Sequence, residues 1–220
     1  MATFLATRPY GPDLYNIGRE TFMLPVKWVN DWPMILEPGK RIPFVVPNPK
    51  LPRQPPPRQS TSGLASSYVD EFEGDALSFA WIGIRTPRKP LYSLEGGALV
   101  LHSSAALGDV KGVPAFIGRR QQHHIATVST TLEYKPEKDG DRAGLVAIQN
   151  DDAWLFFGVT RIEGQPVVAL FARQNSGTET LIASAPFAGG STTLTLSADG
   201  GTASFVYLAG GKRETLKSGF

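Results

Sequence analysis

The sequence predicts an all-β protein, an antiparallel β-sandwich preceded by an irregular N-terminal arm. Three observations favour this class. From about residue 66 onward, short segments rich in β-branched and aromatic residues alternate with turns rich in Gly, Asn and Asp. No window of about ten residues has the periodicity of an amphipathic helix. Twelve of the eighteen prolines fall in residues 1–60, which disfavours helix and central strand in that part of the chain.

The arm, residues 1–37, contains short predicted strands. They cover residues 2–7, 21–29 and 32–35. Pro25 is expected at an edge or a bulge of the second strand, because it has no N–H to donate. Asn30 and Asp31 form the turn that joins the second and third strands into a hairpin.

A proline-rich linker follows the arm at residues 38–65. Its sequence contains the run LPRQPPPRQ. Such a composition predicts an extended, polyproline-like segment that lies along a surface.

The body, residues 66–220, contains many short predicted strands. They cover residues 68–72, 77–84, 98–102, 114–120, 125–134, 143–149, 153–161, 166–173, 178–184, 191–198, 202–207 and 212–216. Polar and apolar residues alternate best in 125–134 and 191–198, as expected for half-buried strands. Many short strands at regular spacing are typical of an antiparallel sandwich or barrel.

Composition excludes several functional classes. The formal net charge is +2 and basic residues form no long run, so the sequence predicts no nucleic-acid partner. The absence of Cys excludes disulfides, thiolate metal sites and Cys nucleophiles. No apolar run is long enough to span a membrane. The first residues lack the pattern of a signal peptide.

Two groups of motifs identify a family. The first group consists of the runs GRETF, PVKW and DWP, at residues 18–22, 25–28 and 31–33. It resembles the last propeller segment of glycoside hydrolase family 43 enzymes. The second consists of DEF, WIGIRTP, GRRQQH, AGL and QN, at residues 70–72, 81–87, 118–123, 143–145 and 149–150. It resembles the C-terminal, lectin-like β-sandwich (a concanavalin-type jelly roll) in the xylosidase and arabinofuranosidase branch of that family.

The resemblance implies a role in xylan degradation. Family members hydrolyse arabinoxylan or xylo-oligosaccharides with inversion, which needs a general acid and a general base about 6.5–9.5 Å apart. In the family these carboxylates lie in the five-bladed propeller upstream, so we expect this chain to have no catalytic residue and no activity alone. The implied partners are the N-terminal propeller part of the enzyme and a xylan-derived oligosaccharide. The expected location is extracellular, and a further strand is expected after Phe220.

Other functional classes stay open at this point. The chain is either part of an arabinofuranosidase or part of a xylosidase, and the residues do not distinguish them. A stand-alone lectin-like carbohydrate-binding module is the alternative outside catalysis, and a purely structural domain is the third.

Arg19 is the predicted substrate-binding residue. The resemblance implies that the arginine of the GRETF motif reaches the sugar site, and a guanidinium fork suits sugar hydroxyls. The alternative is a surface salt bridge from Arg19 to Glu20 or Asp13. Glu20 is expected to be a structural partner, because it lies on the opposite face of the strand.

Three further groups of polar or aromatic residues have two interpretations each. The run at residues 119–124 is either a polar network that holds the sandwich to the propeller or part of a carbohydrate cleft. The tryptophans either fill cores or stack on sugars, and Trp28 and Trp32 are expected to pack the propeller against the sandwich. The acidic turns at residues 139–141 and 150–152 are either solvated hairpins or calcium sites. Otherwise no cofactor and no metal site is predicted, since His123 and His124 point to opposite faces.

Overall fold

The structure of the protein is a computed structural model, and the residues that it describes are 1–43, 46, 52, 67–109, 111–175 and 177–220. Secondary structure in these residues consists of β-strands, and none of them forms a helix that is long and apolar enough to cross a membrane. The chain divides into two compact units, Met1–Ser67 and Tyr68–Phe220. The predicted linker, residues 38–65, lies mostly outside the described residues, and the predicted domain boundaries stay a prediction.

The first unit contains two antiparallel pairs of strands. Their bounds are Ala2–Thr7 (β1), Arg19–Leu24 (β2), Lys27–Val29 (β3) and Trp32–Met34 (β4). β1 pairs with β2 and β3 pairs with β4. The β3–β4 turn is Asn30-Asp31, with φ of 49° and 61°, which is the type I′ geometry that matches the twist of a hairpin.

Pro25 has a larger effect than predicted. The expected strand over 21–29 is interrupted: β2 ends at Leu24 and β3 begins at Lys27. A proline removes one ladder hydrogen bond and fixes φ, so the chain leaves the β1–β2 ladder there. Inside that ladder Phe4 stacks on Phe22 with ring centroids 6.1 Å apart.

The second unit contains the remaining described strands. Their bounds are Tyr92–Glu95 (β5), Ala98–Leu101 (β6), Ile125–Glu133 (β7), Arg142–Asn150 (β8), Ala153–Ile162 (β9), Gln165–Arg173 (β10), Thr180–Pro186 (β11), Ser191–Asp199 (β12), Thr202–Ala209 (β13) and Lys212–Lys217 (β14). One four-stranded sheet has the order β11-β10-β9-β8 and the other has the order β14-β13-β12-β7, while β5 and β6 form a separate ribbon. The ladders of both sheets are antiparallel. The predicted all-β, antiparallel sandwich is therefore confirmed.

The hydrophobic core lies between the two sheets. Phe157 and Leu170 of one sheet and Leu194 and Phe205 of the other are fully buried. The Phe157 and Phe205 rings meet edge to face, with centroids 5.4 Å apart, which is a favoured aromatic geometry.

A pair of glycines brings β8 and β9 close together. Gly144 of β8 is paired directly with Gly158 of β9. A Cβ atom on Gly158 would overlap the carbonyl oxygen of Ala143 and lie 2.7 Å from the Cα of Gly144. Both positions therefore require a residue without a side chain.

Three predicted strands are wrong. Residues 68–72, 77–84 and 114–120 form no strand, and the ladder contacts of the last two segments are isolated bridges such as Ile82–Gly118. These segments have strand-like composition but lack a neighbour that extends the pairing, and β-propensity depends on such neighbours. The structure also contains a strand that was not predicted, β5, which pairs with β6.

Candidate functional site

Arg19 lies at the start of β2, where it pairs with Thr7 of β1. Its side chain is exposed, and no hydrogen bond or ion pair joins its guanidinium to another described residue. Glu20 instead binds Arg8 through two contacts, Nη2–Oε1 at 2.7 Å and Nε–Oε2 at 3.0 Å. The alternative ion pairs of Arg19 with Glu20 or Asp13 are therefore not formed. Glu20 is a structural partner, but of Arg8, and the N–H donors of Arg19 stay available to a ligand.

A second constellation lies at the start of the sandwich unit and is centred on Asp70. Its Oδ2 accepts hydrogen bonds from the Tyr68 hydroxyl at 2.9 Å and from Trp81 Nε1 at 2.7 Å. Its Oδ1 accepts the backbone N–H of Phe72 at 3.0 Å. Phe72 has a φ of 56°, which is rare for an aromatic residue. The Asp70 carboxylate thus holds a strained turn and two aromatic rings at once.

Arg119 reaches this constellation through a single β-bridge. Ile82 and Gly118 exchange two backbone hydrogen bonds of 2.9 Å, so the residues beside them, Trp81 and Arg119, face each other across the bridge. The Arg119 guanidinium carbon lies 3.6 Å from the centroid of the Tyr68 ring and 5.6 Å from that of Trp81. This cation–π arrangement fixes the guanidinium on rings that Asp70 itself positions.

The Asp70 carboxyl is stabilised in its charged form. The hydrogen bond from Trp81 lowers the pKa of Asp70 most strongly. The Phe72 N–H, the Tyr68 hydroxyl and the positive charge of Arg119 lower it further, while burial acts in the opposite direction. At neutral pH Asp70 is therefore an ionised carboxylate, which accepts three hydrogen bonds and is stabilised by the positive charge of Arg119.

A pocket of about 560 Å³ is lined in part by Trp81. The residues that line it include aromatic, hydroxyl and charged side chains, among them Asp75, Ser78, Phe79, Trp81, Tyr92 and Ser93. A volume in this range is typical of small-molecule sites, which span about 300–1,000 Å³.

The remaining tryptophans fall into two groups. Trp154 is 4% exposed and belongs to the core, so the core-filling interpretation holds for this residue. Trp28 and Trp32 are each 71% exposed on the β3–β4 hairpin. The sugar-stacking interpretation therefore stays open for these two rings.

The polar run at residues 119–124 is not a strand, so the predicted alternation of its faces does not apply. Gln121 donates to the carbonyl of His123 at 2.8 Å, which is a local contact. Its proposed contact with the propeller stays a prediction.

The acidic turns use their carboxylates within the fold. Asp139 accepts the N–H of Gly164, and Asp141 accepts the N–H of Lys138. In the second turn Asp151 pairs with Arg85 at 2.6 Å and Asp152 pairs with Arg173 at 3.2 Å. Across the described ranges, no group of three or more His, Asp or Glu side chains is arranged to hold a metal ion. The structure therefore favours hairpin and ion-pair roles over calcium sites.

The sequence of the body matches a known domain. A sequence model of the β-xylosidase C-terminal concanavalin A-like domain of glycoside hydrolase family 43 matches residues 69–218. The chain belongs to this family. The identification of the sandwich from the motifs at residues 70–150 is therefore confirmed.

Curated relatives of this family member are named as glycosidases. The non-reducing end α-L-arabinofuranosidase BoGH43B of Bacteroides ovatus is 31% identical over 173 residues, which are 77% of this chain and 31% of the relative. A β-xylosidase of Bacillus subtilis is 28% identical over 175 residues, with 72% of this chain and 31% of the relative covered. The chain thus spans about a third of the length of these relatives.

Solved structures extend the likeness beyond the family domain. The xylan β-1,4-xylosidase of Bacillus halodurans is 27% identical with a TM-score of 0.82, over 99% of this chain and 42% of that one. The Bacteroides ovatus structure described as xyloglucan PUL GH43B is 26% identical with a TM-score of 0.77, over 98% and 42%.

The family's motifs could indicate part of the Asp70 constellation but not its geometry. Asp70, Trp81 and Arg119 each lie in a motif that carried the resemblance, whereas Tyr68 does not. Their contacts depend on one isolated bridge, which leaves no periodic signal in the sequence. The positions of these residues in the motifs were thus the signal that the sequence contained. Their shared contact with the Asp70 carboxylate could not be predicted from it.

Proposed function

We propose that this chain is the C-terminal portion of an inverting, xylan-degrading glycoside hydrolase. The enzyme would be an α-L-arabinofuranosidase or a β-xylosidase that acts on arabinoxylan or xylo-oligosaccharides. The observation that carries the proposal is the family match over residues 69–218, together with relatives named as enzymes of both kinds. We also propose that the enzyme is secreted, because xylan is a polymer outside the cell.

In this proposal the chemistry is divided between two parts of the enzyme. A general acid protonates the leaving oxygen, and a general base activates water on the opposite face of the sugar. Both carboxylates are assigned to an N-terminal propeller, so this chain alone does not hydrolyse glycosides. The sandwich shapes one wall of the substrate cleft.

Arg19 supplies the contribution of this chain to sugar binding. Its guanidinium is exposed and has no partner among the described residues. It can donate to two sugar hydroxyls at once, and its charge favours the ionised form of a nearby carboxylate. Glu20, the residue after Arg19, pairs with Arg8 at 2.7 Å, so its carboxylate does not neutralise the charge of Arg19.

The unpaired strand edges of the first unit support a partner that contributes further β-strands. In the described part of the arm, β1 and β2 pair only with each other. A two-stranded ribbon is marginal by itself in water, and each strand leaves one edge free for pairing. Strands of the N-terminal propeller would satisfy these edges.

Reconstitution tests the proposal. The chain is coexpressed with the upstream segment of the Bacteroides ovatus α-L-arabinofuranosidase, and release of arabinose and xylose is measured. We expect no release from the chain alone and activity from the pair. Arg19→Ala should lower turnover about 10- to 100-fold, the effect of losing a charged hydrogen bond.

The control is Arg213→Ala, an exposed arginine on β14, which should leave turnover unchanged. Sugar release by the chain alone would contradict the division of the chemistry. Full activity of the Arg19→Ala pair would contradict the role of Arg19 only.

A further inference from the structure

We propose that the free edge of β7 is an interaction surface for a second copy of this chain. The two β7 strands pair antiparallel about a twofold axis at Ser129, and two four-stranded sheets become one sheet of eight strands. This inference concerns assembly of the sandwich and does not depend on the proposed hydrolysis.

The strand β7 lacks the features that usually protect the edge of a sheet. It is the last strand of its sheet, next to β12, and its nine residues include no Lys, Arg, Pro or Gly. Its register with β12 runs from Ile125 to Glu133 without a shift. Native proteins protect long, flat edges with charges, proline or bulges, because an unprotected edge pairs with other strands.

The other three edge strands of the two described sheets carry such protection. The strand β14 contains Lys212, Arg213 and Lys217. The strand β11 ends at Pro186, and β8 has a register shift before Asn150. Of these edges, β7 is therefore the one that least hinders pairing with another chain.

One hydrogen bond shows which backbone groups of β7 are free. Gly200 donates its N–H to the carbonyl of His124 at 3.1 Å, in the register that β7 and β12 continue. Hydrogen-bonded pairs alternate along an antiparallel ladder, so the backbone groups of the even-numbered residues face β12. Those of the odd-numbered residues point away from the sheet, and no backbone hydrogen bond joins them to another described residue. The odd-numbered residues are exposed, and they are Ile125, Thr127, Ser129, Thr131 and Glu133.

An antiparallel twofold pair satisfies all of these positions. When Ser129 lies opposite Ser129 of the second copy, Thr127 lies opposite Thr131 and Ile125 lies opposite Glu133. Each opposed pair of odd-numbered residues exchanges two backbone hydrogen bonds, so every free group of the edge has a partner. The facing threonines add favourable cross-strand contacts. Ile125, which is 74% exposed in the single chain, is partly covered by the neighbouring strand.

The charges of β7 favour the antiparallel direction. Glu133 is the charged residue of this strand, and parallel pairing in register would place two Glu133 carboxylates side by side, which is unfavourable. In the antiparallel pair Glu133 lies opposite Ile125 of the second copy and diagonal to His123, an exposed residue that can carry a positive charge. A contact between two identical surfaces closes at two copies, so the expected assembly is a dimer.

Sedimentation equilibrium of the full chain tests the proposal. We expect a dimer with a Kd on the order of 10 µM, because pairing of two edge strands is a small interface, below about 1,200 Å². Ser129→Lys and Ser129→Glu each place two like charges at the twofold axis and should weaken the dimer by more than about tenfold. An equimolar mixture of the two variants should form dimers again, because Lys then faces Glu. Ser129 is exposed, so both variants are expected to fold.

The matched control is Thr215→Lys, at an exposed position of β14 on the opposite edge of the same sheet, which should leave the dimer unchanged. A wild-type chain that stays monomeric up to about 0.5 mM, near the weak limit of specific association, would overturn the proposal. A dimer that Ser129→Lys leaves intact would do so as well, because the contact would then lie elsewhere, for example on the free edges of β1 and β2. If the mixture of the two Ser129 variants stayed monomeric, the twofold pairing at Ser129 would be wrong. The assay contains no glycoside and no propeller, so its result is independent of the reconstitution assay.

Discussion

Gly158→Ala is expected to destabilise the sandwich by about 2–3 kcal/mol, near the upper end for overpacking. The added Cβ would overlap the Ala143 carbonyl oxygen and lie 2.7 Å from the Cα of Gly144 and 2.9 Å from the carbonyl carbon of Ala143. All three are backbone atoms of β8, so no side chain can rotate away to make room. The strands must separate instead, beside the fully buried Phe157 and Val159.

The assay is thermal and urea-induced unfolding of the full chain, followed by far-UV circular dichroism. For a domain of this size, about 2–3 kcal/mol lowers Tm by roughly 4–12 °C. Gly74→Ala is the matched control, because its Cβ would meet nothing closer than 3.6 Å and should change stability by less than about 0.5 kcal/mol. If Gly158→Ala had the same Tm and the same urea midpoint as Gly74→Ala and the wild type, the close approach of β8 and β9 would be refuted.

Three other predictions concern the Asp70 cluster, the core and the acidic turns. Asp70→Asn should destabilise by about 1–3 kcal/mol, since its amide nitrogen cannot accept from Tyr68 or Trp81. Because the folded pKa of Asp70 is lowered, this difference should be present above the ordinary value of 3.8 and decline as pH falls through the folded pKa. Denaturation of the wild type and of Asp70→Asn at pH values from 7 to 2 checks the size of this loss and its pH dependence, with Asp75→Asn as the control. A difference in stability that does not change with pH would contradict the role of the ionised Asp70 carboxylate. Phe205→Ala should reduce stability by about 3–5 kcal/mol in urea unfolding, and a loss below about 1 kcal/mol would be inconsistent with its full burial. Millimolar calcium should leave Tm unchanged, because Asp139 and Asp141 already bind backbone N–H groups, and a rise of several degrees would show a bound ion.

Strands were predictable where the pattern of the sequence and the pairing of the sheet agree. β7 alternates polar and apolar residues and pairs along its length with β12, so local pattern and tertiary contacts require the same conformation. The Asn30-Asp31 turn was predictable for a similar reason, since both residue types tolerate the positive φ that the hairpin requires.

Residues 68–72 show why other strands were not predictable. Tyr68, Val69 and Phe72 have strong β-propensity, but Asp70 binds the N–H two residues later and closes a turn instead. A side chain that competes with the ladder leaves no trace in hydrophobic periodicity. The prediction of a strand at residues 68–72 is therefore wrong because of Asp70, the residue at the centre of the constellation.

The candidate site divides in the same way. Arg19 was predicted because its motif is local, and the structure places it on an exposed strand position. The pocket beside Trp81 was not predicted, because its lining residues run from Asp75 to Ile117 and meet only in three dimensions. Composition identifies such residues as turn or strand formers and contains no information about their proximity.

The isolated bridge between Ile82 and Gly118 has a consequence for local dynamics. It consists of two backbone hydrogen bonds, whereas β9 is paired on both sides in the centre of its sheet. The segment that carries Trp81 can therefore open without unfolding either sheet, as elements with few ladder contacts do. Amide hydrogens of Ile82 and Gly118 should exchange with solvent deuterium well before those of Phe157 and Val159.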